Sequence, residues 1–519
     1  MRDKILRSSL KVSQNQILLN NKKVTPKILA SQSKAYYGKH YLKLLVPEHQ
    51  YNWLENILFR HHQAGLLSPR DHGKTTIIPR VSSEQITLFN KKENILLLSK
   101  THSQAKKTLD AIHSDLTKNP LIQADFKQEL SDYRKVGNQI FFNMPDVLED
   151  NKRDAKIEAN GILGDITGGH FTKILMDDIF DDENTRTSSG IATIMKFING
   201  TVLPLLEPDG QILFIATHKH YNDGYNQLKN NPAWNIITQK AILEWPESWD
   251  YVYDDTGTIV GVKNIKGESK VLWPEKWPID KLLLKFKAMG SILFSREYQN
   301  ETHQMKGKIF KDSDLRYFAI DPDKVDGNVV AMPPLEQMDI YQGIDLAIGQ
   351  KAKNDFFVIT TKGVTYSPYR RYTLDWVVGK FRFPEQVKIV KNNYHGPIQP
   401  YLIENGIKRW DVLKVGIESN AYQKALAEES IELGVPVKEI YSTSDKTMRI
   451  TAGSVNFENH IEYIPIDHPK LEMFLKQYRE FDEGDHEDIL DSDNICSRTI
   501  ISPDEDDKNN EAIFDMIDL

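Results

Sequence analysis

Residues Ser68 to Thr76 read Ser-Pro-Arg-Asp-His-Gly-Lys-Thr-Thr, a spacing suited to holding a polyphosphate. A turn whose backbone N–H groups converge, followed by the start of a helix, attracts phosphate oxygens. Gly73 lets the backbone approach them, Lys74 supplies a mobile positive charge for the β and γ phosphates, and the Thr75 hydroxyl can ligate Mg²⁺. The stretch departs from the pattern G-x-x-x-x-G-K-[ST] only at its first position, where Ser68 stands for glycine. Ser68, Arg70, Gly73, Lys74, Thr75 and Thr76 are the expected nucleotide-binding residues of this loop. A surface turn containing Gly-Lys-Thr is the ordinary alternative.

Hydrolysis needs carboxylates beside such a loop. Ile174-Leu-Met-Asp-Asp178 is an apolar strand ending in two acids. Asp177 is assigned to Mg²⁺ and Asp178 to the attacking water, a role for which many ATPases use Glu. Asp181, Asp182 and Glu183 read as a solvated turn. Ile212-Leu-Phe-Ile-Ala-Thr217 is a further strand whose terminal Thr217 can sense the γ-phosphate, or simply cap the strand. His218 and His220, followed by Asp223, have no third ligand nearby and suggest contact with solvent or DNA rather than metal. Gln50, in Pro47-Glu-His-Gln, can read an adenine edge or cap the aromatic helix that follows. Arg70, ahead of Arg80, is a candidate for offsetting transition-state charge.

A second chemistry lies further on. Asp345 ends the strand Tyr-Gln-Gly-Ile-Asp, Asp355 precedes another strand, and Glu418 ends Val-Leu-Lys-Val-Gly-Ile-Glu. Gly484-Asp-His-Glu-Asp-Ile-Leu-Asp491 reads as the start of a helix. Separated segments that each deliver a carboxylate at an element terminus suit two-metal phosphodiester cleavage, because hard Mg²⁺ or Mn²⁺ ions take oxygen ligands. Asp488 and Asp491, three apart, share one helix face, and either could face the metals, whereas Glu487 points elsewhere. Lys446 and Arg449, also three apart, are either a phosphate-backbone contact or a solvated helix face.

These residues need two α/β frameworks. Short apolar runs at Ile95–Leu98, Ile140–Phe142, Ile174–Met176 and Ile212–Ile215 predict buried, mostly parallel strands over residues 41–235. A second set, Ile340–Ile344, Phe356–Thr360, Tyr372–Val378, Val412–Ile417 and Ile461–Ile464, falls in residues 336–500. Between them, residues 236–305 carry three Trp-Pro pairs and a Lys-rich helical stretch, which suggests a lid or linker subdomain, and the polar, Pro-containing residues 306–335 suggest a linker. Residues 1–40 are polar and basic, an expected flexible or adaptor segment at the N-terminus, and 501–519 form an acidic tail. No apolar run is long enough for a membrane span, and the N-terminus lacks the apolar core of a secretory signal. The single cysteine, Cys496, excludes an intramolecular disulfide framework and fits a reducing compartment. A net charge of −7 over 519 residues argues against indiscriminate coating of nucleic acid, though not against a DNA enzyme with local basic patches.

In this order the segments resemble the large terminase subunit family of tailed bacteriophages. The series comprises the P-x-x-Q segment, the loop S-P-R-x-H-G-K-[ST], Gly161-Ile-Leu-Gly-Asp-Ile-Thr-Gly-Gly-His170 running into Ile-Leu-Met-Asp-Asp, and A-T-x-x-x-x-x-D at 216–223. Leu272-Trp-Pro-Glu275, Phe294-x-x-x-Tyr298-Gln299, an Asp strand, a Glu strand and H-[DE]-D-x-x-D complete it. The resemblance implies a P-loop ATPase domain of the additional-strand type and an RNase H-like nuclease domain. It implies ATP-powered translocation of double-stranded DNA into a procapsid, and metal-dependent cutting of concatemeric DNA. Lys74, Asp177 and Asp178 would serve ATP hydrolysis. Asp345, Glu418 and Asp488 match the nuclease carboxylates, and Asp491 matches a position some members use instead. The family usually shows two aspartates where this chain has Glu487-Asp488. The implied partners are a portal protein, a small terminase subunit and further copies of the chain in a ring, commonly of five, within the host cytoplasm. A nucleic-acid-remodelling ATPase with a non-cutting RNase H-like domain is the rival reading.

Overall fold

The computed structural model describes residues 17–19, 22–90, 92–131, 133–142, 156–166, 169–181, 184, 188–218, 223–254, 259–301, 309–346, 356–418, 421–441, 446–481 and 486–500. The chain divides into two compact units. The first is formed by residues up to Trp245 with Glu268–Leu282 and those from Phe294; the second by Pro246–Gly267, Leu283–Leu293 and the residues beyond. The stretch 236–305 is thus shared between the two units rather than standing as a subdomain of its own.

The first unit is built on an eight-stranded sheet. Its order is Asn235–Thr238, Gln63–Leu67, Leu206–Ala216, Phe171–Asp177, Ile95–Ser99, Ile157–Gly161, Gln139–Phe141 and Arg134–Val136. The first six strands run parallel and the last two pair antiparallel at the edge. Ile95–Ser99 is buried throughout, as a strand covered on both faces must be. One apolar core, with Leu66, Ile78, Leu97 and Leu109, lies on one side, and another, with Leu98, Ile174, Phe180 and Phe214, on the other. Leu206–Ala216 is inserted between the strand before the Ser68–Thr76 loop and the strand ending at Asp177, which is the additional-strand arrangement.

Two expectations are corrected here. From residue 26 the N-terminal segment is helical and packed. Helices Pro26–Gln32 and Lys34–His40 are capped by Thr25 and Ser33, and Ala30, Ala35 and Tyr37 enter the first core. Residues 309–335 also hold structure. Arg316–Ala319 pairs in parallel with Glu462–Pro465, and Val330–Ala331 adds an edge strand. These short segments carry too little apolar periodicity to be seen in sequence. Residues 501–519 lie outside those described.

The second unit has its own eight-stranded sheet, in the order Val330–Ala331, Arg316–Ala319, Glu462–Pro465, Tyr369–Gly379, Phe357–Tyr366, Asp339–Asp345, Val412–Glu418 and Val437–Ile440. Asp339–Asp345, Phe357–Tyr366 and Tyr369–Gly379 form an antiparallel meander, and Val412–Glu418 and Val437–Ile440 add in parallel beyond its first strand. Taking these five in chain order, the sheet reads third, second, first, fourth, fifth, the RNase H arrangement. A buried ionic knot pins helix Asp488–Thr499 to this sheet. Lys362 Nζ donates to Glu462 Oε2 and Asp493 Oδ2, each at 2.9 Å, and to Ser497 Oγ at 3.1 Å. No helix among the described residues is long and apolar enough to cross a membrane.

Candidate nucleotide and carboxylate sites

In the first unit the parallel register brings the strand ends together. Leu67 pairs with Ala216 and Asp177 with Ile215, so Ser68, Thr217, Asp177 and Asp178 emerge at one carboxyl edge, where open α/β sheets bind ligands. Ser68 N donates to Ala216 O at 2.9 Å and Thr217 Oγ1 to Ser68 O at 3.1 Å, tying the loop to the end of the Leu206–Ala216 strand. Asp71 (φ 61°) and Gly73 (φ 80°) take left-handed conformations, and the chain becomes helical from Lys74. Pro79 lacks a backbone N–H, and the helix accommodates it with a wide turn over Thr76–Val81.

Several side chains meet at this edge. The buried Lys74 ammonium contacts Thr217 Oγ1 and lies 3.4 Å from Asp178 Oδ2. Thr75 Oγ1 donates to Asp177 Oδ1 at 3.1 Å. Thr217 N donates to Asp178 Oδ1 at 3.1 Å, and Asp178 itself sits at a strained φ of 45°. Thr76 is exposed beside Thr75. Asp177 keeps some access to solvent, but burial and the neighbouring Asp178 raise its pKa to about 7 against the pull of Lys74 and Thr75.

Gln50 is buried and donates to His72 O at 2.9 Å, so it braces the loop from behind; a Cβ at Gly73 would come within 2.5 Å of its Nε2. Its Oε1 has no hydrogen-bond partner among the described residues, nor has Ser68 Oγ or His72 Nε2. Orphaned buried atoms of this kind at the loop fit a nucleotide. A second brace carries no signal in the sequence. Lys276 Nζ donates to Asp71 O at 2.7 Å and Trp277 Nε1 at 3.4 Å, from the segment that follows Leu272-Trp-Pro-Glu275.

The two arginines part company. Arg80 is bound twice to Asp115, at 2.6 Å through both Nε and a terminal nitrogen. Arg70 remains more than a third exposed, 3.9 Å from Glu297. His218 does not face solvent: it is 2% exposed and bonds Asp223 at 2.9 Å through Nδ1. Its backbone N–H donates to Asn300 Oδ1 at 3.1 Å. Asp181 pairs with Lys100 rather than standing solvated. His220, Asp182 and Glu183 fall outside the described residues.

In the second unit, two glycines explain how the carboxylates meet. Gly343 and Gly416 are register partners on adjacent parallel strands. A Cβ at Gly343 would lie 2.1 Å from Cys496 N, and one at Gly416 would lie 1.9 Å from Thr499 Oγ1. Helix Asp488–Thr499 therefore rests directly on the strands. Asp345 and Glu418 stand two residues further along, on the same face. The helix presents Asp488 and Asp491, both buried, at its first turn. Burial, then Asp491, pushes the Asp345 pKa well above its usual value; Lys446 opposes this, and Asp488 and Glu418 reinforce it. Asp491 thus weighs on Asp345 more than Asp488 does.

The oxygens of this cluster are turned to other partners. Arg449 donates to Glu418 Oε1 at 2.5 Å and Lys446 lies 3.1 Å from Asp491 Oδ2. Asp488 Oδ2 accepts from Phe356 N at 3.4 Å and stands 3.5 Å from His486 Nδ1. The reading of Lys446 and Arg449 as a solvated face is corrected. The donor set is right for hard divalent cations, and Asp491 Oδ1 is buried with no hydrogen-bond partner among the described residues. Among those residues, however, no group of three or more His, Cys, Asp or Glu is arranged to hold a metal ion. Asp355, Gly484 and Asp485 fall outside them.

The chain is similar to the large terminase of a thermophilic bacteriophage, solved in complex with ADP. The two share 10% identity over 88% of this chain and 99% of that one, with a TM-score of 0.46. It is similar to the HK97 bacteriophage large terminase at 11% identity over 85% of this chain and 91% of that one, with a TM-score of 0.34. The large terminase nuclease from the thermophilic phage G20c, with bound zinc, matches 37% of this chain over 97% of its own length, at 15% identity and a TM-score of 0.26. No protein-family model and no curated protein matches the chain.

Proposed function

We propose that the chain is the large subunit of a viral DNA-packaging terminase. Its two activities would be ATP-driven translocation of double-stranded DNA into a procapsid and endonucleolytic cutting of concatemeric DNA. The observation that supports this reading is a pair of different side-chain clusters in one polypeptide, one suited to a polyphosphate and the other to divalent cations. One is the set Lys74, Thr75, Asp177, Asp178 and Thr217. The other is the set Asp345, Glu418, Asp488 and Asp491 on an RNase H-type sheet.

ATP would lie on the Ser68–Thr76 loop, with Thr75 and Asp177 the residues to hold Mg²⁺, whose charge would offset that of the phosphates. Lys74 is placed to draw negative charge from the transferring phosphate. Asp178, held by Thr217 N, is fixed where it can orient a water. Thr217, bonded to both the lysine and the loop, registers loss of the γ-phosphate and passes it along its strand to His218 and Asn300. Portal protein, small subunit, a ring of five copies and the host cytoplasm complete the proposal.

Lys74→Ala should abolish ATP hydrolysis while metal-dependent nicking of plasmid DNA persists, and Asp345→Ala should do the reverse. Unchanged ATPase activity in the first variant, or undiminished nicking in the second, overturns the corresponding assignment. One observation favours a second reading, a nucleic-acid-remodelling ATPase that does not cut: Glu418 and Asp491 are each already paired with a basic side chain. Nicking by the purified protein with Mg²⁺ or Mn²⁺ decides between them.

A further inference from the structure

Helix Lys446–Glu458 carries two cations one turn apart, and each holds a different carboxylate of the second unit. Arg449 reaches Glu418 at the end of a strand, with both side chains largely buried at 10% and 15% exposure. Lys446 reaches Asp491 in the first turn of another helix, whose carboxylate is 5% exposed. The carrying helix is itself anchored, since Asn494 Nδ2 donates to Arg449 O at 2.8 Å.

Four acidic side chains in one buried place repel one another, and cations that neutralise them lower that cost. A divalent ion would lower the same cost by binding the same oxygens. Glu418 Oε1 and Asp491 Oδ2 cannot serve an ammonium or guanidinium and a metal at once at full strength. By linkage, whatever strengthens one occupant weakens the other by the same factor. We propose that Lys446 and Arg449 are positioning residues that latch Asp491 and Glu418 in place, and that divalent cations load by displacing them. The proposal rests on reading these carboxylates as a metal centre. It makes the metal requirement of the site a property of two basic side chains as well as of the acids.

The test is Mn²⁺ binding to the full chain without DNA, measured by titration calorimetry and by the Mn²⁺-induced rise in melting temperature. Lys446→Gln and Arg449→Gln should each bind Mn²⁺ on the order of tenfold more tightly than the unmodified chain. Lys446→Arg, which keeps the charge, should restore the weaker binding. Lys446 is more than a third exposed, so its substitution leaves a folded protein even where loss of the buried Arg449 does not. Equal or weaker Mn²⁺ binding by Lys446→Gln, with binding in the unmodified chain still abolished by Asp345→Asn, overturns the latch alone. Mn²⁺ binding indifferent to Asp345→Asn overturns the metal-centre reading beneath it, and the latch with it.

Discussion

Thr75 Oγ1 donates a 3.1 Å hydrogen bond to Asp177 Oδ1 across 102 residues of chain. A hydroxyl and a carboxylate so placed are the two side chains a phosphate-bound Mg²⁺ would need. Thr75→Val keeps the shape and removes the oxygen. ATP turnover should fall on the order of 100-fold, with the fold intact by circular dichroism. Turnover within a few-fold of the unmodified chain would remove Thr75 from the site.

The same carboxylate gives the activity a pH dependence. Asp177 titrates at about 7 in the fold, because burial and Asp178 disfavour its charge, against about 3.9 in an unfolded chain. Between those values the folded state holds a proton that the unfolded state has lost, so this group takes stability away as pH rises through that window. A protonated Asp177 cannot serve a metal, so Mg²⁺-dependent ATP hydrolysis should climb from about pH 6 to about pH 8. A flat profile over that range would remove Asp177 as its cause.

His49 and His72 work in the opposite sense. Burial lowers each pKa from 6.5 to about 4. An unfolded histidine takes up a proton near 6.5, and the folded one refuses it. The stability they permit is present above that value and is lost as pH falls towards 4. From neutrality down to about pH 5, each should cost the first unit roughly 2 kcal/mol. Chemical denaturation should show the drop, and His72→Gln should flatten it; an unaltered pH slope in that variant would exclude His72.

Arg80 is committed to Asp115, whereas Arg70 stays more than a third exposed at the loop. Arg80→Ala should cost roughly 1–2 kcal/mol by breaking its ion pair with Asp115, yet leave ATP turnover per folded molecule within about twofold. Arg70→Ala should do the reverse, lowering turnover with little change in melting temperature. Identical behaviour of the two variants would contradict their different partners.

Lys362 supports the helix that bears Asp488 and Asp491. Lys362→Met leaves Glu462 and Asp493 buried without their shared counter-ion, which should destabilise the second unit by on the order of 3–5 kcal/mol. Raising the pH should deepen the loss. In the fold, burial lifts Asp493 to about 6 even while Lys362 draws it down, and the orphaned acid must charge as pH rises. Unchanged unfolding in urea would mean that Arg371 compensates alone.

Much of the nucleotide site was legible before any coordinates. Ser68 to Thr76 form the loop, Asp177 ends one strand with Asp178 just beyond it, and Thr217 directly follows another, because the chemistry and the local backbone geometry are written in adjacent residues. The apolar runs likewise marked most central strands, since burial on both faces leaves a continuous hydrophobic signature. Gln63–Leu67, the strand that delivers the loop, and the short strands at Arg316–Ala319 and Val437–Ile440 were not marked, because four or five residues with small or polar side chains among them leave no continuous apolar run.

The sequence by itself determined which side chains could do chemistry and which strands and turns would carry them, since those depend on residue type and near neighbours. Only the tertiary structure decided their partners. It gave Arg80 to Asp115, His218 to Asp223, Lys446 to Asp491 and Arg449 to Glu418. Such pairings join residues that are distant along the chain or on separate elements, and they are set by sheet register and by how closely a helix can approach a glycine. A spacing pattern encodes neither.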